Sequence, residues 1–417
     1  MKILLANKFF YRKGGSETYY FALGEALQKA GHEVIWFSMS HPDNLPCDQS
    51  EYFVDFVDYN AEVSALQKLK NAISSIYSTK AREKFKRLLL AERPDIVHVN
   101  NIHKQITLSV LDACEECNVP VVATSHDWIY ICPNYQKLRN GAVCELCQDG
   151  NIWNCAKTGC VQGSKLRSLL ATVESMFYMR TRRYNKVDLY IVPSECMASR
   201  MSAAKFTSSE IVCMRNFLAD MSAAKKEVTE ASYFIYLGRL VEEKGVRTLI
   251  RAYSKADVAQ ELYILGEGPL REELGDLAES LGCAERVHIV GAKYGDELIE
   301  FVEKSLALVL PSEIMENCPY SIMEAMTMGK PVIGSRIGGI PELIVEEITG
   351  YCYIMGDSDS LAEKLSAVSL LSTEKYMQMS VAAHAYALEN FSKEKYVKEL
   401  LKRYEFLIEK RGAPVWE

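Results

Sequence analysis

Glu316 and Glu324 flank a strand-to-helix junction, and their placement is the first sign of chemistry in the chain. The apolar run at 306–310 has the length and the leucine and valine character of a buried strand. Pro311 and Ser312 end it, and a polar loop carries Glu316. A helix is then expected from Pro319, with Cys318 half in, to a stop at Gly329 with Pro331 just beyond. On this reading Glu316 lies at a strand's carboxyl end and Glu324 about two turns inside the helix. Ligands of open α/β sheets bind outside the carboxyl ends of the strands. A helix N-terminus there attracts phosphate through its N–H groups and dipole. Two carboxylates beside such a site suit a ligand with phosphates in the middle and hydroxyl-rich groups at both ends, the layout of a nucleotide sugar.

Positive charge for those phosphates is available at Arg239 and Lys244, five positions apart in a loop bounded by Gly238 and Gly245 that leaves a strand expected at 233–237. Two cations and a helix N-terminus can converge on a diphosphate there. The pair Asp357 and Asp359 has the spacing that holds a divalent ion in some enzymes. It opens a late helix, however, where a capping role is expected. Five cysteines cluster between Cys132 and Cys160. Cys144 and Cys147 have the two-residue gap of a zinc knuckle, and Cys155 and Cys160 would complete four thiolates. A structural zinc is one reading; reduced or disulfide-paired thiols are the other. Four thiolates leave no open position, so such a zinc would not be catalytic.

Further candidates lie in the first half. Gly14 and Gly15 follow the first strand and invite a dinucleotide reading, but Gly-x-Gly-x-x-Gly is absent and the loop is long. A plain loop capped by Ser16 is the alternative. His126 follows the strand at 120–124 with Asp127 beside it, so it either faces a ligand or holds its loop.

These residues need a scaffold of alternating strands and helices. The first half has strands at 2–6, 32–36, 96–99, 120–124, 189–192 and 211–214. Helices are expected at 17–30, about 107–116, 80–90 and 165–186. The polar stretch 216–232 reads as a crossing, after which the pattern restarts with strands at 233–237, 261–265, 287–290, 306–310, 331–334 and 351–354. Two doubly wound parallel sheets follow, an α/β class. With 417 residues, two or three domains are expected. The division is 1–215, with a Cys-rich insertion at 127–163, then 216–391, then a final helix at 392–417. A net charge of −7 argues against general nucleic-acid binding. No apolar run approaches the ~20 residues that span a bilayer. The start, MKILLANKFF, reads as a strand and not a signal peptide, so cytoplasmic residence is expected. Basic runs at 80–90 and 165–186 are either solvated faces or a patch that meets the inner face of a membrane.

Glu316, seven residues and Glu324, followed by Ala325-Met326, Gly329-Lys330-Pro331 and Gly338-Gly339, resemble the signature of the retaining glycosyltransferases of family four. The resemblance implies the GT-B fold: two Rossmann-like domains facing across a cleft, the first for the acceptor and the second for the nucleotide-sugar donor, with the last helix returning to the first domain. It implies a metal-independent transfer of a hexose-type sugar from a nucleoside diphosphate to a glycan or lipid-linked acceptor, with retention of configuration. Under it, His126 and Glu316 meet the transferred sugar, Arg239 and Lys244 the diphosphate, and Glu324 the ribose. Backbone at Cys318, Pro319, Tyr320 and Ser321 joins in holding the diphosphate. Val290 and Gly291 meet the base, and Gly14, Gly15, Gly238 and Gly266 let backbone approach the donor. Cys318 and Pro319 depart from the Phe-Gly pair usual at those positions. A nucleotide-sugar 2-epimerase on the same fold is the alternative, distinguished by acting on donor alone.

Overall fold

A computed structural model describes residues 1–59, 61–219 and 232–416, and resolves the chain into two units. Unit 1 comprises residues 1–136, 145–214 and 393–417; unit 2 comprises residues 137–144 and 215–392. Most of the crossing expected at 216–232 lies outside the described residues.

Unit 1 is built on six strands: β1 (Lys2–Ala6), β2 (Glu33–Phe37), β3 (Ile96–Val99), β4 (Val121–Thr124), β5 (Leu189–Val192) and β6 (Glu210–Cys213). They run parallel in the order β6-β5-β4-β3-β1-β2. Unit 2 repeats the plan with β7 (Tyr233–Leu237), β8 (Glu261–Leu265), β9 (Val287–Ile289), β10 (Ser305–Leu310), β11 (Val332–Ser335) and β12 (Gly350–Tyr353). Its order is β9-β8-β7-β10-β11-β12, again all parallel. Helices cover both faces of a parallel sheet, so its central strands read as unbroken apolar runs. Every residue of β3, β4, β5, β7, β10 and β11 is accordingly buried.

The strand order fixes where a ligand can bind. In unit 1 the chain moves outward from β1 to β2, then restarts on the other side at β3. In unit 2 it moves outward from β7 to β9, then restarts at β10. Each reversal leaves a crevice at the carboxyl ends of the two adjacent strands. In unit 2 those are the ends of β7 and β10, which carry Arg239 and Lys244 on one side and Glu316 on the other.

Six helices matter below: α1 (Gly15–Lys29), α2 (Ala65–Ile76), α3 (Thr79–Glu92), α4 (Lys165–Arg180), α5 (Tyr320–Thr327) and α6 (Lys393–Arg411). The last packs within unit 1 through a buried polar chain. His98 on β3 bridges Tyr404 Oη of α6 (2.5 Å) and Thr124 Oγ1 of β4 (2.7 Å). Tyr19 Oη of α1 joins Thr124 Oγ1 (3.2 Å) and Tyr396 Oη of α6 (2.6 Å). Arg411 closes the far end on both carboxylate oxygens of Asp188 (2.8 and 2.9 Å). Burial pushes His98 down to about 3, so it stays neutral and serves this network through both ring nitrogens.

Several expected boundaries move. The helix expected through 165–186 ends at Arg180, because Arg182 takes a left-handed φ of 51° and a short 3-10 turn, Arg183–Lys186, follows. Thr107, with φ 70°, lies before its helix, which begins at Val110. Ser16 is not a cap: Gly14 holds that position, α1 starts at Gly15, and Ser16 Oγ donates to Glu17 Oε1 (2.9 Å). The helix α2 had no counterpart in the sequence reading.

Candidate active site

At the reversal point of unit 2, Lys244 and Glu316 meet in an ion pair. Lys244 ends a 3-10 turn, Glu242–Lys244, after β7. Gly245 then turns with φ +67°, and a Cβ there would lie 1.9 Å from the carbonyl oxygen of Pro311, at the end of β10. Only glycine allows that approach, and the approach brings Lys244 to the loop that carries Glu316. The loops are also stitched by Glu313 N–H donating to Glu243 O (2.9 Å) and by Thr248 Oγ1 donating to Glu313 Oε1 (2.6 Å). Glu316 is held from two further sides. Ser312 Oγ donates to its Oε1 (2.9 Å), and Gly339 N–H donates to its carbonyl (2.7 Å). A Cβ on Gly338 would stand 2.2 Å from that same carbonyl, with φ +56°, which accounts for the paired glycines.

Arg239 belongs to the same loop but reaches outward. Its side chain is 69% exposed, and its nearest acid is Glu243 (3.8 Å). Tyr236 Oη donates to its carbonyl (2.8 Å) and holds the backbone. The guanidinium is thus largely exposed to solvent.

The helix α5 begins one residue later than expected. Pro319 is its cap, with an extended ψ of 127°, and Tyr320 is the first helical residue. Pro319 has no N–H and cannot donate to a phosphate. The Cys318 side chain is turned into the core, with Sγ 3.6 Å from Met323 Sδ, and burial pushes its thiol up to about 12. Tyr320 and Ser321 keep their backbone N–H groups and form the first turn of α5. Glu324 lies just over one turn into α5, not two. Among the described residues nothing donates to its carboxylate or pairs with it. Burial alone raises it to about 7. Beyond β7, three strand ends are tied in a row: Gly238 N–H donates to Leu265 O, and Gly266 N–H to Gly291 O (3.0 Å each). Gly238, Gly266, Val290 and Gly291 thus share one edge of unit 2. Asp357 accepts from the N–H of Asp359 (2.9 Å) and Ser360 (3.1 Å), so this Asp-x-Asp caps a helix.

In unit 1, His126 sits beyond β4. Its Nε2 lies 3.0 Å from Asn100 Oδ1 at the end of β3, and its ring meets Tyr19 edge-on at 4.8 Å. Burial pushes it down to about 4, so the imidazole is neutral near pH 7. Asp127 is held by Ile129 N–H (3.0 Å), and burial raises its carboxyl against the pull of Lys8. Burial in turn lowers Lys8, with Asp127 and Glu17 opposing that shift. Gly14 and Gly15 open α1 on the neighbouring strand end. Sequence reading missed Ser312, Asn100 and Lys8, single polar residues without a distinguishing spacing.

Among the described residues no three His, Cys, Asp or Glu side chains group as metal ligands. Cys160 Sγ stands 3.3 Å from Cys155 Sγ, which in turn faces Ser168 O (3.7 Å). Cys144 instead continues a small hairpin, its N–H donating to Lys137 O (2.7 Å). The chain reaches Cys144 from that hairpin, and Cys155 lies in a short helix, Trp153–Thr158.

Two family models match consecutive parts of the chain: Glycosyltransferase Family 4 over residues 13–218 and Glycosyl transferases group 1 over residues 219–386. The chain belongs to glycosyltransferase family 4. It is 32% identical over 189 residues to N-acetyl-alpha-D-glucosaminyl L-malate synthase of Bacillus anthracis, a match spanning 44% of this chain and 48% of that protein. It is 32% identical over 141 residues to the amylovoran biosynthesis glycosyltransferase AmsK of Erwinia amylovora, spanning 32% of this chain and 35% of that one. These matches span less than half the length of either relative. Anabaena Alr3699/HepE, solved in complex with UDP and glucose, aligns over 97% of this chain and 100% of its own, with a TM-score of 0.68 and 16% identity. That likeness establishes the GT-B fold.

Proposed function

We propose that this protein is a retaining, metal-independent glycosyltransferase that moves a hexose-type sugar from a nucleoside diphosphate to a glycan or lipid-linked acceptor. The observation that carries the reading is the junction of Lys244, Glu316 and Ser312 at the reversal point of unit 2, with the first turn of α5 on the same connection. Departure of a sugar from a diphosphate leaves negative charge on that diphosphate. Lys244, Arg239 and the first-turn N–H groups of α5 supply preorganised positive charge for it, the term that usually dominates such catalysis. Glu316 passes from Lys244 to the hydroxyls of the transferred sugar. Glu324, which has no partner among the described residues, accepts from the ribose. His126, neutral and held by Asn100, is the residue that the family resemblance assigns to the donor sugar. Metal independence is supported by these cations and by the capping role of Asp357.

The UDP and glucose bound in the HepE structure make UDP-glucose the first donor to try. The name of the amylovoran relative favours a role in glycan biosynthesis; we propose that this synthesis makes a polysaccharide or lipid-linked oligosaccharide at the inner face of a membrane. The experiment is product analysis with a panel of nucleoside diphosphate sugars, each with and without glycan and lipid-linked acceptors, in the presence of EDTA. Transfer that needs an acceptor and survives EDTA supports the reading. Conversion of donor alone points to an epimerase, and transfer abolished by EDTA removes metal independence.

A further inference from the structure

The helix α2 is an amphipathic helix whose apolar row is largely exposed among the described residues. Of its 12 residues only Ser75 is buried. Leu66, Leu69 and Ile73, at spacings that place them on one face, are 64%, 58% and 61% exposed. Helices of this length are marginal in water and owe most of their stability to burial of an apolar face. Here that face stays mostly exposed among the described residues. The Ser64 cap and the Gln67–Asn71 hydrogen bond contribute only fractions of that burial.

The helix α4 repeats the arrangement beside it. Leu166, Leu169 and Val173 have the same spacing and are 77%, 44% and 42% exposed. The carboxyl ends of the two helices are joined: Tyr178 Oη donates to Ile76 O (2.6 Å), and the rings of Tyr77 and Phe177 meet at 6.3 Å.

The charges on these helices have one sign. Lys68, Lys70, Lys165, Arg167 and Arg180 are exposed, and among the described residues none of them is paired with an acid. The single acid within the two helices is Glu174, buried and paired with Lys104. The whole chain nevertheless carries a net charge of −7. The neighbouring basic runs differ. On α3, Arg82 and Lys86 both pair with Glu116, and Lys84 lies 3.6 Å from Asp55. Arg183 and Lys186 pair with Asp112. The cations of 80–90 and 183–186 are thus largely neutralised within the protein, and those of α2 and α4 are not.

We infer that α2 and α4 together form the surface by which this protein docks on an anionic lipid bilayer. Exposed apolar rows bordered by lysine and arginine, with no exposed acid between them, match a headgroup layer over an acyl interior. A second copy of this chain is a poor occupant, since two such faces would set like charges against each other. The inference deepens the functional reading by naming the partner surface on which a lipid-linked acceptor would be met. Vesicle binding is read without donor or acceptor, so its failure and the failure of the transferase reading are distinguishable.

The test uses the full chain and sedimentation with phosphatidylcholine vesicles, with or without phosphatidylglycerol. The expected result is binding only where phosphatidylglycerol is present, weakened by salt. Lys68→Gln with Lys70→Gln should lower the partition coefficient roughly 30-fold, about fivefold for each lysine near the surface. Leu66→Ser, Leu69→Ser and Ile73→Ser combined should abolish binding while leaving the unfolding temperature unchanged, because these side chains are exposed in solution. Should that variant lose its fold, Leu166→Ser with Leu169→Ser gives an independent reading on the second helix. Absence of binding to anionic vesicles overturns the inference, as does wild-type binding by the serine variants. So does a dimer of the wild type that the α2 variant dissolves.

Discussion

Replacing Glu324 by Gln isolates one carboxyl whose environment has a clear physical signature. Burial lifts it from an ordinary 4.5 to about 7. At ~1.36 kcal/mol per pH unit, the folded protein disfavours the ionised form by about 3 kcal/mol. The folded value lies above the unfolded one. The contribution to stability is therefore fully present below about pH 4.5 and is lost as the pH rises through about 7. Glutamine has the same shape and no charge to lose. The unfolding temperatures of wild type and Glu324→Gln should be close at pH 4.5, then separate in favour of the variant. The gap should level off above pH 7 at roughly 6–12 °C for a domain of this size. Calorimetry across pH 4.5–8.5 reads it directly. The same substitution should weaken donor binding, since an amide offers one acceptor oxygen where the carboxylate offers two. A temperature gap independent of pH, or donor affinity unchanged by Gln, would refute the reasoning.

Other consequences can be checked with single variants. Lys244→Ala and Glu316→Ala should each lower the transfer rate roughly 10²–10³-fold. The double variant should lose less than the product of the two, because the residues pair in the free protein; multiplicative losses in steady-state kinetics would contradict that coupling. Tyr404→Phe leaves His98 Nδ1 buried without its partner and should cost about 1–3 kcal/mol. Denaturant unfolding that shows no loss would remove the polar chain as the anchor of α6.

The sheets were legible in the sequence because central parallel strands, buried on both faces, are near-continuous apolar runs, and six of the twelve strands are buried throughout. Strand ends drifted by a residue or so, where a polar flanking residue such as Glu210 or Ser305 still joins the ladder. The helix at 165–186 was overrun because its stop is a left-handed arginine, not a glycine or proline. The helix α2 was passed over although Ser64 and the spacing of Leu66, Leu69 and Ile73 announce it. Its neighbours drew attention by charge, and on α3 most of that charge is spent on internal pairs. In the site, Glu316 and Lys244 were visible as types at strand ends. Their meeting depends on strand order, since Lys244 and Glu316 are 72 positions apart in the chain and come together only because β7 and β10 are neighbours in the sheet. Ser312 and Asn100 gave no signal because one hydroxyl or amide beside a strand is commonplace.

The account rests on a diphosphate cradle in unit 2, and titration calorimetry tests it most directly. Nucleoside diphosphates and the corresponding nucleosides are titrated into wild type and Lys244→Ala, starting with UDP and uridine. The account predicts that one diphosphate binds wild type at least ~10²-fold more tightly than its nucleoside, a difference of ~2.7 kcal/mol, and that most of this preference disappears in Lys244→Ala. Equal affinity for diphosphate and nucleoside across the panel, or a preference that Lys244→Ala leaves intact, would contradict it.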